Sequence, residues 1–216
     1  MTSHRTSRRS FGSLAWYFCS DINHRILGDR LAAALDVVDS PFESRHITVD
    51  DMQAVPSRAA GGVPVMDFKL HCLLNTCLGG HEAAAVKGGA GVSEGEHFIW
   101  SDVDVQPAAP LRQLHAALQR LAQQDDGAVD VFAQREFQQT GLNVGFMLLR
   151  KSPATRKLLQ AVRCEMARTG GLDQNVLNRM VLAGDTHGAV VRRFPSAIWA
   201  SSNAAVRHFP AQFPPF

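Results

Sequence analysis

The sequence predicts an α/β fold in which helices cover both faces of a mostly parallel sheet, and three observations support this prediction. Apolar runs of strand length alternate with leucine-rich helical patterns through the first half of the chain, as in sheets whose parallel strands are joined by helices. The length of 216 residues and the hydrophobic content of 45% suit one domain with a sizeable core. Acidic residues follow the apolar run Phe98–Ser101, and open α/β sheets bind ligands at such strand ends.

The first half of the chain supplies three predicted strands and two predicted helices. We predict strands at Leu14–Cys19, Arg45–Val49 and Phe98–Ser101, because each run is short and contains aromatic or β-branched residues. Between them, apolar residues recur every three or four positions, which indicates the buried face of a helix. These positions are Leu27, Leu31 and Leu35 in the first helix and Met66, Leu70, Leu73, Leu74, Cys77 and Leu78 in the second, with Lys69 off the stripe.

The second half continues with strands and three more helices. In the second of these helices, Ser152-Pro153 provides a cap and a proline for the first turn, and Gly170-Gly171 ends it. Asp173-Gln174 opens the third helix and Gly184 ends it. The other predicted elements are the helix carrying Leu111, Leu114, Leu118 and Leu121, and strands at Val129–Ala133, Leu142–Leu149 and Val190-Val191.

Domain boundaries follow from composition. Residues 1–12 are basic and rich in serine, so we predict a disordered tail, followed by one domain over residues 13–216. Within that domain, residues 79–95 contain six glycines and few apolar anchors, which predicts a flexible surface insertion. The glycines do not form a phosphate-binding fingerprint after a strand.

Composition also excludes several classes of function. The net charge is +2, and three arginines fall in the first ten residues, so we expect no broad basic face and no nucleic-acid partner. No apolar run is long enough to span a bilayer and no signal-peptide core is present. The chain as given is therefore predicted to be soluble. We expect the Golgi lumen if an N-terminal anchor has been removed, and the cytoplasm otherwise.

The Asp pair after the third predicted strand is the first candidate site. Residues two apart on an extended chain point the same way, so Asp102 and Asp104 are expected side by side. Neighbouring carboxylates repel one another unless a cation lies between them, and a hard ion such as Mg²⁺ or Mn²⁺ binds carboxylates together with substrate phosphates. The chain has 14 aspartates, so about one Asp-x-Asp is expected by chance, and the pair needs support from elsewhere.

Two later motifs supply that support. Asn143-Val144-Gly145-Phe146 lies in a predicted strand, and Asp173-Gln174 opens a helix beyond it. With the Asp pair, this order resembles the nucleotide-diphospho-sugar transferases, glycosyltransferases of the GT-A fold that include plant cell-wall galactosyl-, xylosyl- and arabinosyltransferases. The resemblance runs from about Leu14 to Asn203, and it implies a GT-A-like domain that transfers a sugar from a nucleotide-diphosphate donor.

The resemblance also implies roles for individual residues. Asp102 and Asp104 would bind Mn²⁺ (or Mg²⁺) against the donor diphosphate, with Asp104 the firmer ligand. Asp173 and Gln174 would bind sugar hydroxyls near the reacting carbon and act in catalysis. The donor-binding residues would be Ser20, Asp21, Asn23, Lys69, Ser101, Asp102, Val103, Asn143 and Gly145.

Simpler interpretations stand beside these roles, and the chain departs from the family pattern. Asn143 could satisfy a strand edge, Asp173 could cap a helix, and Lys69 could be a solvated lysine. The family's histidine-rich C-terminal segment supplies a further metal ligand, for which His208 is the candidate here. The glycine-rich stretch at 79–95 is also longer than the family's usual connection.

The resemblance therefore implies metal-dependent glycosyl transfer, with retention of configuration as in most of the family. The donor would be a nucleotide sugar, with a UDP-sugar the first choice, and the acceptor a hydroxyl of a glycan, a protein or a small molecule. A metal-dependent phosphoesterase is an alternative that needs further ligands, for which Asp130 and His187 are poor candidates. A non-catalytic nucleotide-sugar-binding domain is a second alternative. Nucleotide release across a panel of donors, with and without Mn²⁺, separates the three.

Overall fold

Eight strands and five α-helices make up the part of the chain that the computed structural model describes, namely residues 14–20, 24–48, 64–78, 92–107, 110–136, 141–195 and 200–202. The strands are β1 Leu14–Ser20, β2 Phe42–Thr48, β3 His97–Ser101, β4 Val105–Pro107, β5 Val131–Arg135, β6 Leu142–Arg150, β7 Val191–Arg193 and β8 Ala200–Ser202. The helices are α1 Arg25–Leu35, α2 Pro64–Cys72, α3 Leu111–Gln123, α4 Pro153–Thr169 and α5 Asp173–Leu182. A π-helical turn at Leu73–Cys77 continues α2, and a 3₁₀ turn at Gln124–Gly127 follows α3.

The main sheet has six strands in the order β2-β1-β3-β6-β5-β7. Five of them run in the same direction, and β6 is antiparallel to both of its neighbours. The five parallel strands therefore end at the edge where β6 begins, which we call the carboxyl edge. Strands β4 and β8 form a separate antiparallel pair. The prediction of a mostly parallel α/β sheet is confirmed.

Helices pack on both faces of this sheet, as predicted. Successive side chains of β3 point to opposite faces of the sheet. Phe98 and Trp100 are buried on the face covered by α2, α4 and α5. Ile99 is buried on the face covered by α1 and α3. Trp16 of β1 is paired with Ile99 in register and lies on the same side. Large apolar side chains on both faces give the sheet two hydrophobic layers, which hold its edges in fixed positions.

Helix α4 begins and ends as the sequence predicts. The backbone N–H of Thr155 donates to the Ser152 hydroxyl at 3.1 Å, and Pro153 occupies the first turn. Gly170 ends the helix with φ of 69°, a left-handed conformation that a residue with a Cβ adopts at a cost. Both termini are therefore specified by local residues.

A buried carboxylate ties three elements together at the edge opposite to the carboxyl edge. Asp130, immediately before β5, accepts a hydrogen bond from the Ser152 hydroxyl at 2.6 Å and another from the Val190 N–H at 2.9 Å. It is 5% exposed. The Asp130 carboxylate, with a hydrogen bond to each oxygen, thus links the start of β5 to the start of α4 and to the connection into β7.

Some boundaries differ from the prediction. Strand β2 begins at Phe42, three residues earlier than predicted, because Phe42 is buried against α1 and α3. The short strands β4 and β8 were not predicted, since three residues carry too little periodicity.

The structure describes only the last residues of the predicted glycine-rich insertion. These residues, 92–95, form a turn in which Val92 is buried and its carbonyl accepts from the Lys151 ammonium at 2.7 Å. Residues 79–91 and the predicted tail, 1–12, lie outside the described residues. No helix among the described residues is long and apolar enough to cross a membrane.

The Asp130 network yields a stability prediction. Asp130→Asn keeps the side-chain shape but replaces one acceptor oxygen by an NH₂ group, so Ser152 or Val190 loses its acceptor. We expect a loss of about 2 kcal/mol in the free energy of unfolding, measured by urea denaturation. Asp185→Asn, at an exposed aspartate in the connection before β7, is the control and should change stability by less than about 0.5 kcal/mol. Equal unfolding midpoints for the two variants would contradict this account.

Candidate functional site

A buried lysine lies at the centre of the carboxyl edge. The Lys69 ammonium, from α2, is 2.8 Å from Oδ1 of Asp102 and 3.1 Å from Oδ2 of Asp173, and it donates to the Val144 carbonyl at 3.4 Å. Lys69 is 5% exposed, although the sequence left open an ordinary solvated lysine. One cation therefore joins α2, the end of β3, the start of α5 and the start of β6.

The charged groups at the carboxyl edge differ in their surroundings: Lys69 lies between two carboxylates, whereas Asp104 is affected by the like charge of Asp102. Burial alone would lower the pKa of Lys69, but the charges of Asp102 and Asp173 and their hydrogen bonds raise it above the ordinary value. Lys69 is therefore a permanent cation at neutral pH. For Asp104, burial and then the charge of Asp102 raise the carboxyl pKa. Ionising Asp104 therefore costs more than ionising an aspartate in water, and a second cation beside it would reduce that cost.

The ladder between β5 and β6 is interrupted next to this lysine. Ala133 pairs with Met147, yet the following residue, Gln134, pairs with Asn143, so residues 144–146 are passed over. The backbone polar groups at the start of β6 therefore need other partners. Gln134 is itself buried, and its side-chain oxygen has no hydrogen-bond partner among the described residues.

Helix α5 provides several of those partners. Asn178 pairs with the backbone of Leu142 in both directions, accepting from its N–H at 2.6 Å and donating to its carbonyl at 2.8 Å. One turn earlier, the Gln174 side-chain oxygen accepts from the Val144 N–H at 3.3 Å. Two amide side chains thus bind the backbone at the start of β6 and fix it against α5.

The Asn-x-Gly motif in β6 forms one hydrogen bond within itself and another to Asp102. The Asn143 side-chain oxygen accepts from the Gly145 N–H at 2.8 Å, a local turn that asparagine favours. The Gly145 carbonyl in turn accepts from the Asp102 N–H at 2.8 Å. The backbone of Asp102 is therefore positioned by β6 as well as by its own strand.

A carboxylate that sequence reasoning missed connects these parts. Glu136 follows β5, and its Oε2 accepts from the Gln174 side-chain nitrogen at 2.6 Å and from the Asn143 side-chain nitrogen at 3.1 Å. Glu136 belongs to no recognisable motif. The only sequence signal was an acidic residue three positions after the predicted strand Val129–Ala133.

Of the remaining predicted site residues, Ser20, Ser101 and Val103 are described by the structure. Ser20 is buried at the end of β1, with its hydroxyl 2.7 Å from Nε2 of His46, and Ser101 is buried and accepts from the Trp16 indole at 2.8 Å. Val103 packs against the apolar layer of α1 and α3. The other two predicted donor-binding residues, Asp21 and Asn23, lie outside the described residues.

Asp173 makes two contacts, and only the one at the start of the helix is among the roles that the sequence left open. Its Oδ1 accepts from the Gln174 N–H in the first turn of α5 at 2.8 Å, while its Oδ2 faces Lys69. The residue that precedes the helix is Leu172, and no side-chain cap is formed there. Asp173 thus satisfies a helix terminus and neutralises the buried cation at once.

The donor set at the carboxyl edge fits a hard divalent ion. Asp102 and Asp104 offer carboxylate oxygens, the ligands that Mg²⁺ and Mn²⁺ bind together with substrate phosphates. The extra cost of ionising Asp104 is consistent with a place for a cation. Among the described residues, no group of three or more His, Cys, Asp or Glu side chains forms a complete metal site. His208, the predicted third ligand, lies outside them.

The two residues considered for a phosphoesterase lie elsewhere. Asp130 precedes β5 and His187 precedes β7, which is parallel to β5. Both are therefore at the edge opposite to Asp102. Asp130 is engaged with Ser152 and Val190, and His187 lies beside Asp185 in the described structure. Neither can complete a site with the Asp pair.

Comparisons with known proteins identify the family of the chain and agree with its fold. Residues 92–210, more than half of the chain, match the family described as nucleotide-diphospho-sugar transferase. This range contains the Asp pair, Asn143, Asp173 and Gln174. Among curated proteins, no sequence matches the chain significantly.

Solved glycosyltransferase structures share the fold. The chain is similar to the apo form of glycosyltransferase GlyE of Streptococcus pneumoniae TIGR4, with a TM-score of 0.53 and 14% identity over 87% of this chain and 46% of GlyE. It thus spans about half the length of that protein. It is also similar to a glycosyltransferase involved in glycosylation of the major capsid of PBCV-1, with a TM-score of 0.51 and 10% identity over 86% of this chain and 83% of that protein. The GT-A-like fold prediction is confirmed.

Removing the buried cation should destabilise the protein. Lys69→Met keeps the side-chain length but leaves Asp173 buried without its counter-charge, so we expect a loss of about 2–3 kcal/mol in urea unfolding at neutral pH. The pKa of Lys69 is raised, so the stabilisation is complete below the ordinary lysine pKa and is lost only as pH rises through the folded value. The difference in the free energy of unfolding between the wild type and Lys69→Met should therefore stay constant from roughly pH 6 to pH 9.

The control is Lys157→Met, at an exposed lysine of α4. It should change stability by less than about 0.5 kcal/mol. If Lys69→Met were as mild as this control, Lys69 would not be the cation on which the carboxyl edge depends.

Proposed function

Since this chain belongs to the nucleotide-diphospho-sugar transferase family, we propose that it is a glycosyltransferase acting on a nucleotide-sugar donor, with a UDP-sugar the first choice. The acceptor is a hydroxyl group of a glycan, a protein or a small molecule. The observation that carries the proposal is the ammonium of Lys69, which joins Asp102 of the Asp pair to Asp173 of the Asp-Gln pair. Elements far apart in sequence thereby form one polar edge suited to a diphosphate and a sugar.

We assign the metal to Asp102 and Asp104, with His208 as a further ligand. The ion is Mn²⁺ or Mg²⁺, because the two assigned carboxylates are hard oxygen donors. When bound, it would offset the negative charge that develops on the departing diphosphate. The protein's part is to hold both carboxylates in place, and for Asp102 the Lys69 ammonium contacts the side chain while the Gly145 carbonyl accepts from the backbone N–H.

Asp173 would act on the sugar by charge and not as a nucleophile. Both of its oxygens are already engaged, one by the Gln174 N–H and the other by Lys69, and an ion-paired carboxylate is a poor nucleophile. A fixed negative charge near the reacting carbon still stabilises the positive charge that builds there during glycosyl transfer. Gln174, next along α5, would contribute its oriented amide dipole. These roles suit transfer with retention of configuration.

The decisive experiment measures nucleotide release from a panel of sugar donors, each with and without Mn²⁺. Release of the nucleoside diphosphate from one donor, dependent on Mn²⁺, supports the transferase. Release of phosphate instead would indicate a phosphoesterase. Donor binding without release, with a broad set of hydroxyl acceptors present, would indicate a non-catalytic binding domain.

The Asp pair gives a sharper prediction. Asp104→Asn should abolish Mn²⁺-dependent binding of UDP, because an amide oxygen is a weaker ligand than a carboxylate and carries no charge. The fold should be retained, since Asp104 is not part of the apolar core. Isothermal titration calorimetry of UDP with and without Mn²⁺ measures the effect. Asp185→Asn at the opposite edge is the control, and unchanged Mn²⁺–UDP affinity in Asp104→Asn would remove the metal assignment.

His208 is tested in the same way. An ion held by two carboxylates and two diphosphate oxygens has room for another ligand, and imidazole suits Mn²⁺ less well than carboxylate does. We therefore expect His208→Ala to weaken Mn²⁺-dependent UDP binding several-fold without abolishing it. Wild-type affinity in His208→Ala would leave Asp102 and Asp104 as the protein's ligands and assign the remaining positions to water.

A further inference from the structure

We propose that Glu136 is a positioning residue, whose carboxylate sets the orientation of the side-chain amides of Gln174 and Asn143. The effect on sugar transfer rests on the proposed function. The orienting role itself is a property of the free protein and can be tested without any donor.

The hydrogen bonds of Gln174 allow one orientation of its amide. A carboxylate without a proton only accepts, and a backbone N–H only donates. The Gln174 nitrogen must therefore face Glu136, at 2.6 Å, and its oxygen must face the Val144 N–H, at 3.3 Å. A flipped amide would set oxygen against carboxylate and NH₂ against N–H, two repulsive contacts.

Glu136 provides the stronger of these two constraints. Its contact with Gln174 is short and involves a charged acceptor, and such hydrogen bonds are about twice as strong as neutral ones. The bond from Val144 is neutral and 0.7 Å longer. Without Glu136, the orientation of Gln174 would rest on this weaker bond.

The same oxygen of Glu136 orients Asn143. The Asn143 nitrogen donates to Glu136 at 3.1 Å, and its oxygen accepts from the Gly145 N–H at 2.8 Å. Glu136 is in turn held at the end of β5, because its own N–H donates to the Gly141 carbonyl at 3.1 Å. One carboxylate thus sets which group, donor or acceptor, each of two predicted sugar-binding amides presents.

This matters because sugar hydroxyls are recognised by matched donors and acceptors. An amide that flips freely offers the wrong group half of the time, and a buried mismatch is costly. An amide held by a carboxylate offers one pattern, ready before the donor arrives. Glu136 therefore affects the transfer step without needing to touch the sugar.

The first test measures hydrogen exchange by NMR in the free, full-length protein. Glu136→Leu removes the acceptor, and we expect the Val144 N–H to exchange about tenfold faster or more, since Gln174 no longer holds it reliably. The Leu142 N–H, bonded to Asn178, should change less than twofold. Glu136→Gln restores an acceptor oxygen without the charge and should be intermediate. Glu94→Leu, exposed in the turn before β3, is the control variant.

The second test uses the donor identified in the panel. We expect Glu136→Leu to lower kcat by about 10- to 100-fold, with partial rescue in Glu136→Gln. Mn²⁺-dependent UDP affinity should stay within twofold, because UDP lacks the sugar that is transferred and the bond between Gly145 and Asp102 is made by backbone groups. A KM change alone, or a wild-type kcat, would overturn the role in transfer.

The two tests fail separately. If the wild-type protein releases nucleotide from no donor, the proposed function fails, and hydrogen exchange alone decides whether Glu136 orients the amides. If Val144 exchanges at the wild-type rate in both Glu136→Leu and Glu136→Gln, the inference is overturned whatever the activity.

Discussion

The carboxyl edge depends on a single ion cluster, the Lys69 ammonium between the carboxylates of Asp102 and Asp173. A buried ammonium is expensive unless opposite charges surround it, so α2, β3 and α5 must meet where they do. The Val144 carbonyl adds a fourth element to the same cation. This requirement explains why an edge made from distant parts of the chain has a defined geometry before any ligand binds.

The reversal of β6 makes that cluster possible. An antiparallel strand between β3 and β5 brings its own beginning to the edge where its neighbours end. Residues 144–146 are passed over in the ladder with β5. Side-chain amides of Asn143, Gln174 and Asn178 bind backbone groups of Gly145, Val144 and Leu142. The Asn-x-Gly and Asp-Gln motifs thus form structural hydrogen bonds in the free protein. These hydrogen bonds also fix the positions of the side chains, as a binding site requires.

The sequence predicted the features that depend on local chemistry. Burial periodicity located the strand at Leu142–Leu149, and the cap at Ser152 located α4, because both signals lie within a few residues. The direction of β6 was not predictable, since alternation of apolar residues is the same in either direction. Neither the burial of Lys69 nor the role of Glu136 leaves a local trace, because each depends on partners at least seven residues away.

The two edges of the sheet differ in a way that indicates which one is functional. At the opposite edge, Asp130 has hydrogen bonds to both oxygens and serves stability. At the carboxyl edge, the Gln134 oxygen is buried without a partner among the described residues, and the pKa of Asp104 is raised by burial and by Asp102. Unsatisfied polar groups and crowded charges cost stability, of the order of 1–3 kcal/mol for a buried acceptor. Perturbed and unsatisfied polar groups concentrate at functional sites, which supports placing the proposed donor site at the carboxyl edge.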